Sequence, residues 1–428
     1  MSYSTSFVLP KAWIEPLFYK PKKLEMALEI ETFPYIKGKP VDPRIRNILE
    51  EIQVKIPNST LQKDLTTGMT YALKMDSKAS YSLEPGGQLE YSSHPHSSFE
   101  SLYHEVNQAF SLVPQDIDLS LHGTRILDKE PNECVVPKFR YLALQRYLNS
   151  EPQGRGLDMM RHLCTLQPNL DIPWENLSKA LYILTVLEPV FYYLFLNSYM
   201  FNHEIKVAER QNVWTHMDQT RSSYPPKWPL SYNDAPEAWL EQYAIYGQNA
   251  YVWMITELPL EEQPLYGQIT FKEWYEKGYQ GIFPQEKDWL SHLSTLFPFV
   301  RMRPFCEIRN IDCQSWEHLF APSVIYHLGL QTQVGIDYLL KLSQDLQLKL
   351  LPFKWNNWLS NDSLRHQNEK FFQSIGQEIL TFFIQSSPDQ LQKDILSRYS
   401  LHFQNRNEVW KSFSTSQSFF QSSLKKHY

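Results

Sequence analysis

Acidic and amide side chains recur at alternate positions in four short strand-like segments, and few folds accept that pattern. Leu24 to Phe33 alternates Met26, Leu28 and Ile30 with Glu25, Glu29 and Glu31. Successive strand side chains point to opposite faces, so the segment has one apolar and one acidic face. Alone, the acidic face suits bulk solvent. Tyr81 to Tyr91 carries Glu84 before a Pro-Gly-Gly bend, then Gln88 and Glu90 on one face. A glycine pair in a strand pattern marks a bulge or a close backbone approach; a plain turn before a short strand fits as well. Leu163 to Asp171 sets Thr165, Gln167, Asn169 and Asp171 against Leu166 and Leu170. Pro168 there suits an edge strand. Phe305 to Arg309 puts Glu307 and Arg309 on one side, which fits a structural ion pair or a site.

Pairing the four segments changes their meaning. Glu29, Glu31, Glu84, Glu90 and Glu307 then share one face, with neighbouring Cβ atoms ~5 Å apart. At an effective dielectric of ~20, each like-charge contact costs on the order of 3 kcal/mol. Cations on the face would relieve that cost. Oxygen ligands without Cys and with little His favour Mg²⁺ or Mn²⁺ over Zn²⁺. Mg²⁺ commonly travels with phosphates, and Arg309 then fits a clamp on phosphate or carboxylate.

The rest of the chain narrows the setting. Its 428 residues are long enough for a sizeable core without disulfide or metal staples. A net charge of -6 argues against nucleic acid or anionic lipid as the main partner. The four cysteines (Cys134, Cys164, Cys306 and Cys313) have no zinc-like spacing and form no disulfide framework, which fits a reducing, cytoplasmic setting. Met1 to Thr5 begins no basic-then-apolar leader, so none is expected. Ala180 to Leu196 is the most apolar stretch; Glu188 and Pro189 interrupt it, and it reads as a buried core helix.

Helices are expected from Asp42-Pro43, from a capping box at Ser97-Ser98-Phe99-Glu100 to about Val113, over Lys138 to Leu148, and after Gly156. Gln211 to Glu286, rich in Trp, Tyr and Pro, reads as irregular with some helix. Trp289 to Phe297 reads as another helix. Beyond Gln331 the chain is helical, with a stripe of Phe371, Phe372, Ile375, Ile379 and Phe383. No linker cuts the first 330 residues, so 1–330 is expected as one domain and 331–428 as a helical extension packed on it.

In order along the chain, the segments resemble glutamate–cysteine ligases of the plant and proteobacterial type, within the carboxylate–amine ligase superfamily. The resemblance rests on Ala27 to Phe33, on Ser82 to Glu90 with Ser92-Ser93-His94-Pro95, and on Arg140-Tyr141 and Arg146-Tyr147. It continues through Gly156 to Met160 and Cys164 to Asp171, through Asn197-Ser198, Arg210, Trp214, Asp218 and Arg221, and through Glu307 to Asp312. It implies an α+β fold with a curved antiparallel sheet funnel of glutamine-synthetase-like type, flanked by helices. It implies two or three Mg²⁺ ions (or Mn²⁺) on Glu29, Glu31, Glu84, Glu90 and Glu307, with Gln167 on the metal side. Arg309, with Glu307, would serve catalysis by contacting the transferring phosphoryl group or the glutamate carboxylate. Gln88, Asn169, Arg210, Trp214 and Arg221 would bind substrate or nucleotide. The implied reaction joins L-glutamate to L-cysteine with ATP as co-substrate, through a γ-glutamyl phosphate. No nucleic acid or membrane partner is expected, and the chain would be a monomer or homodimer. Where the family has small glycines around the last Asp, this chain has Ile311 before Asp312 and Cys313-Gln314 after it. That departure leaves another amine acceptor open; the separate alternative, a lapsed member that only binds nucleotide or glutamate, is opposed by the retained carboxylates.

Overall fold

The computed structural model describes residues 6–125, 136–198, 200–201, 204–225, 227–354 and 358–412. Met1 to Thr5, where no leader is expected, and Cys134 lie outside the described residues. The strands are β1 (Met26–Ile36), β2 (Lys39–Pro40), β3 (Ser59–Lys63), β4 (Thr70–Met75), β5 (Ser80–Leu83) and β6 (Leu89–Ser92). They continue as β7 (Asp118–Ser120), β8 (Leu166–Leu170), β9 (Met200–Phe201), β10 (Glu204–Ile205), β11 (Val300–Met302) and β12 (Cys306–Ile308). Ten of them form one open sheet in the order β11-β12-β8-β1-β6-β5-β4-β3, with β2 and β7 pairing β1 off that path. Every pair in it is antiparallel.

The helices of the first half are α1 (Ile48–Lys55), α2 (Phe99–Ser111), α3 (Phe139–Asn149), α4 (Gly156–His162), α5 (Leu177–Val186) and α6 (Glu188–Leu194). Then come α7 (Glu209–Thr215), α8 (Pro236–Asn249), α9 (Phe271–Lys277), α10 (Glu286–Leu293) and α11 (Ala321–Gln331). The chain closes with α12 (Gln333–Leu350), α13 (Asp362–Ser386) and α14 (Gln390–Ser412). The fold is therefore α+β, as the resemblance implies.

β1 is the middle of the sheet because its two faces differ so sharply. Met26, Leu28 and Ile30 are buried in the main apolar cluster, which runs from Leu9 to Phe403 and so takes in the C-terminal helices. The opposite face carries Glu29 and Glu31 between two partners, with Glu31 opposite Glu90 on β6 and Glu29 opposite Gln167 on β8.

Several local expectations are corrected. β8 is internal, between β1 and β12, although Pro168 suits an edge. The β8–β12 ladder covers only Leu170 and Asn169 and resumes at the Thr165–Asp312 bridge, so no bond to β12 is demanded of Pro168. Pro-Gly-Gly is a turn between β5 and β6, closed by Glu84 and Gln88, with Gly87 at φ 84°. The close approach at Gly86 is to backbone: a Cβ there would lie 2.6 Å from the Arg161 carbonyl oxygen. α1 starts at Ile48, where the Asn47 side chain accepts from Leu49 N–H, because Asp42 instead binds Arg44. α2 is capped by Ser98 through Ser101 N–H, one residue later than a capping box ending at Glu100 requires. The apolar stretch is two helices, bent by 63° at Leu187, and no single described helix is long and apolar enough to cross a membrane.

Candidate active site

The acidic face of the sheet opens on a cavity of about 660 Å³, within the ordinary range for a ligand pocket. Glu29, Glu31, Glu84, Glu90 and Gln167 line it. β1 supplies the first two, the β5–β6 turn Glu84, β6 Glu90 and β8 Gln167. Lys74, Lys138, Arg140, Arg301, Arg303 and Arg309 also line it. The site therefore gathers four carboxylates and six cations, of which Lys74 and Arg301 stand on strands of the same sheet.

Each carboxylate is held by neighbours that fix its direction. Glu31 accepts from Thr165 N–H at 2.8 Å and from the Gln167 amide at 3.1 Å. Glu29 accepts from the Asn169 amide at 3.0 Å. Glu90 accepts from the Ser82 and Ser92 hydroxyls, each at 3.1 Å, and Glu84 from the Tyr141 hydroxyl at 3.2 Å. Burial, and then the neighbouring carboxylates, push Glu29, Glu84 and Glu90 up to about 7 and Glu31 up to about 8. Desolvation and mutual repulsion both act against the charged forms.

Glu307 has the opposite environment. Burial alone would raise it, but Arg301, Arg309 and Arg303 hold it down at about 2. Arg301 grips both its oxygens, at 2.6 and 2.9 Å, and Arg303 reaches it at 3.1 Å. Arg309 bonds both Glu307 and the Gln167 carbonyl oxygen. Arg301 stands directly opposite Glu307 across the β11–β12 pair. Arg140, by contrast, bonds the Ser294 hydroxyl at 3.1 Å and lies over the Trp253 ring.

The remaining expected residues divide. Trp214 lines the cavity, with the Arg210 and Arg309 guanidiniums 5.1 and 5.6 Å from its ring centroid. Gln88 lines it too, but its amide accepts from Gly86 N–H and donates to the Met160 and Leu163 carbonyls, which ties the turn to α4. Asn169 is buried beside Glu29 and Glu307. Arg210 and Arg221 are not brought to the cavity lining. Arg221 is fully buried on Asp218, Thr295 and the Tyr251 carbonyl, and Arg210 donates to the Arg309 carbonyl at 2.6 Å. No role is expected from the sequence for Arg301, Arg303, Lys74 or Lys138. The first two carried a signal: Arg301-Met302-Arg303 alternates as a strand just before the Glu307-Ile308-Arg309 strand.

Hard divalent cations suit the carboxylates of this lining, whose donors are all oxygen and which burial and mutual repulsion push toward their neutral forms. Among the described residues no three His, Cys, Asp or Glu side chains converge into a closed metal cage. Such a face fits ions that complete their shells with phosphate oxygens and water, as Mg²⁺ does.

Comparison with known proteins settles the family. The model of the glutamate-cysteine ligase family, family 2, matches residues 38–353. The chain belongs to this family. The family match contains Glu84, Glu90, Gln167, Glu307 and Arg309; β1 precedes it, and α13 and α14 follow it. The chloroplastic glutamate–cysteine ligase of Nicotiana tabacum is 27% identical over 279 residues, covering 63% of this chain and 52% of the relative. That of Arabidopsis thaliana is 28% identical over 279 residues, with the same two coverages of 63% and 52%. The chain thus spans about half the length of these curated relatives. The fold is also that of a solved glutamate–cysteine ligase from Francisella tularensis in complex with AMP. That match has a TM-score of 0.51 at 12% identity, over 95% of this chain and 88% of the other.

Proposed function

We propose that the chain is an ATP-dependent ligase that joins the γ-carboxylate of L-glutamate to the amine of L-cysteine, releasing ADP and phosphate. The observation that carries this reading is the mixed lining of the cavity: buried carboxylates on the sheet stand among six Lys and Arg side chains in a member of this family. A free carboxylate resists attack by an amine because its oxygen is a poor leaving group. Phosphorylation by ATP gives a γ-glutamyl phosphate, whose phosphate the amine then displaces.

Glu29, Glu31, Glu84 and Glu90 would hold two or three Mg²⁺ ions; Glu307 and Gln167, expected on the metal side, have their oxygens engaged by arginines instead. When bound, the ions would neutralise phosphate charge and align donor with acceptor. The chain's own residues do the rest. Thr165, Ser82, Ser92 and Tyr141 orient the carboxylates. Glu307 gathers Arg301, Arg303 and Arg309 into one rigid group, so their charge is in place before the phosphoryl group moves. Arg140, with a serine hydroxyl as its hydrogen-bond partner, offers a free fork for a substrate carboxylate. Trp214, Trp253 and Phe297 wall the cavity and exclude water from an acyl phosphate that water would hydrolyse.

Phosphate release with ATP, Mg²⁺ and L-glutamate across a panel of amines tests the proposal. Cysteine should support the highest kcat/KM. A higher value with another amine would reassign the acceptor. Release that no amine stimulates would overturn the ligase reading.

A further inference from the structure

We infer that Arg406, near the end of the chain, is a positioning residue for the active site and acts through the C-terminus of α6. The inference rests on the ligase reading only for its kinetic readout. α14 lies outside the family match, yet Arg406 is 1% exposed. Its guanidinium donates to the Tyr193 and Leu194 carbonyls at 2.8 and 3.0 Å, and the Tyr399 hydroxyl donates to the Leu194 carbonyl at 2.6 Å. These carbonyls end α6, where the helix dipole favours a cation. The same guanidinium lies over the Tyr193 and Phe403 rings, at 4.7 and 4.8 Å.

The segment after α6 carries the effect of this buried charge toward the site. The Phe195 carbonyl accepts from Gln314 at 2.7 Å. Asn197 N–H donates to the Asp312 carboxylate at 2.7 Å, and its side chain to the Leu121 and Cys313 carbonyls. Asp312 lies 3.6 Å from the Arg210 guanidinium, which holds the Arg309 carbonyl at 2.6 Å. Asp312 also bridges to Thr165, whose N–H holds Glu31. The clamp on α6 thus sets where Asn197 meets Asp312, and Asp312 borders the backbone of Arg309 and the neighbour of Glu31. Each link is a hydrogen bond, an ion pair or a few residues of chain.

Hydrogen exchange on the full chain tests this, with Arg406→Met, Arg406→Lys and Tyr399→Phe beside the wild type. In Arg406→Met the amides of Asn197, Arg309 and Cys313 should exchange about ten-fold faster, as expected when a local clamp is lost. Amides of Leu73 and Tyr81, in β4 and β5, should not change. Arg406→Lys should recover part of the protection, and Tyr399→Phe should show the same pattern more weakly. Ligase kcat should fall by about ten-fold in Arg406→Met with the KM for ATP unchanged. If Arg406→Met does not fold, Tyr399→Phe decides. Unchanged exchange at the three amides in a folded variant, or an equal rise in β4 and β5, would overturn the inference. The local exchange pattern in a chain with no ligase turnover would uphold the positioning role and refute the ligase reading.

Discussion

Arg309 Nη1 is committed to Gln167 and Glu307, which leaves its other N–H groups for a ligand in the cavity. A lysine keeps the charge but cannot hold those two acceptors and grip a phosphoryl group as a planar fork does. Arg309→Lys should lose roughly 2–4 kcal/mol of transition-state stabilisation, about 30- to 1000-fold in rate. Steady-state kinetics should place the loss in kcat; a rise only in an amine KM would make Arg309 a reader of the acceptor. Glu90 makes the complementary test. Its charge is buried beside other carboxylates, so Glu90→Gln removes repulsion as well as a proposed ligand. Turnover should vanish, while melting temperature without Mg²⁺ stays equal or rises and the Mg²⁺-induced rise shrinks. A melting temperature that drops without Mg²⁺ would mean that the carboxylate is structural. Glu29 and Glu31 were legible in the sequence because alternation puts them on one face of β1, while Glu90 joins them only through the β1–β6 pairing and Glu84 lies in the turn before β6. The cations beside them were less so, since Arg301 reaches the face only through its register with Glu307.

At the scale of elements, β1 was readable because Met26, Leu28 and Ile30 alternate without a break, whereas turns and helix starts depended on which side chain won a local competition. Asp42-Pro43 looks like a helix start, but Asp42 binds Arg44 and Asn47 takes the cap. The strand expected from Tyr81 to Tyr91 divides because Gln88 bonds back across the Pro-Gly-Gly turn. Between β4 and β5 the turn sets Lys78 at φ 74°, with Lys78 N–H on the Met75 carbonyl and Met75 N–H on the Ala79 carbonyl. A non-glycine residue in this left-handed region costs about 1–2 kcal/mol, part of which glycine loses again through unfolded-chain entropy. Lys78→Gly should therefore stabilise the protein by about 0.5–1 kcal/mol in urea denaturation. Destabilisation would mean that the lysine side chain contributes more than its backbone strain costs.

Desolvation lowers the pKa of four imidazoles among the described residues: His122, His292, His327 and His402. Burial holds His122 at about 4 and His292 at about 3, and burial together with His318 holds His402 at about 3. An unfolded histidine titrates near 6.5, so below that pH the unfolded chain binds protons that the folded chain refuses. Their contribution to stability is complete above pH ~6.5 and is lost as pH falls toward the folded values, by up to about 1.4 kcal/mol per pH unit for each ring. His292 Nε2 donates to the Gly247 carbonyl at 2.9 Å, a bond that glutamine can replace. Urea titrations of His292→Gln from pH 7 to 4 should show a shallower slope by about one proton, and an unchanged slope would place that titration elsewhere. The same molecule has one sheet face turned to apolar core and the other to four carboxylates and six cations, and the proposed chemistry depends on that second face. The most direct measurement starts from L-glutamate labelled with ¹⁸O in its γ-carboxylate, incubated with ATP, Mg²⁺ and L-cysteine. An acyl phosphate predicts one labelled oxygen in the inorganic phosphate, with ADP as the nucleotide product. Label recovered in AMP, with pyrophosphate released, would contradict it.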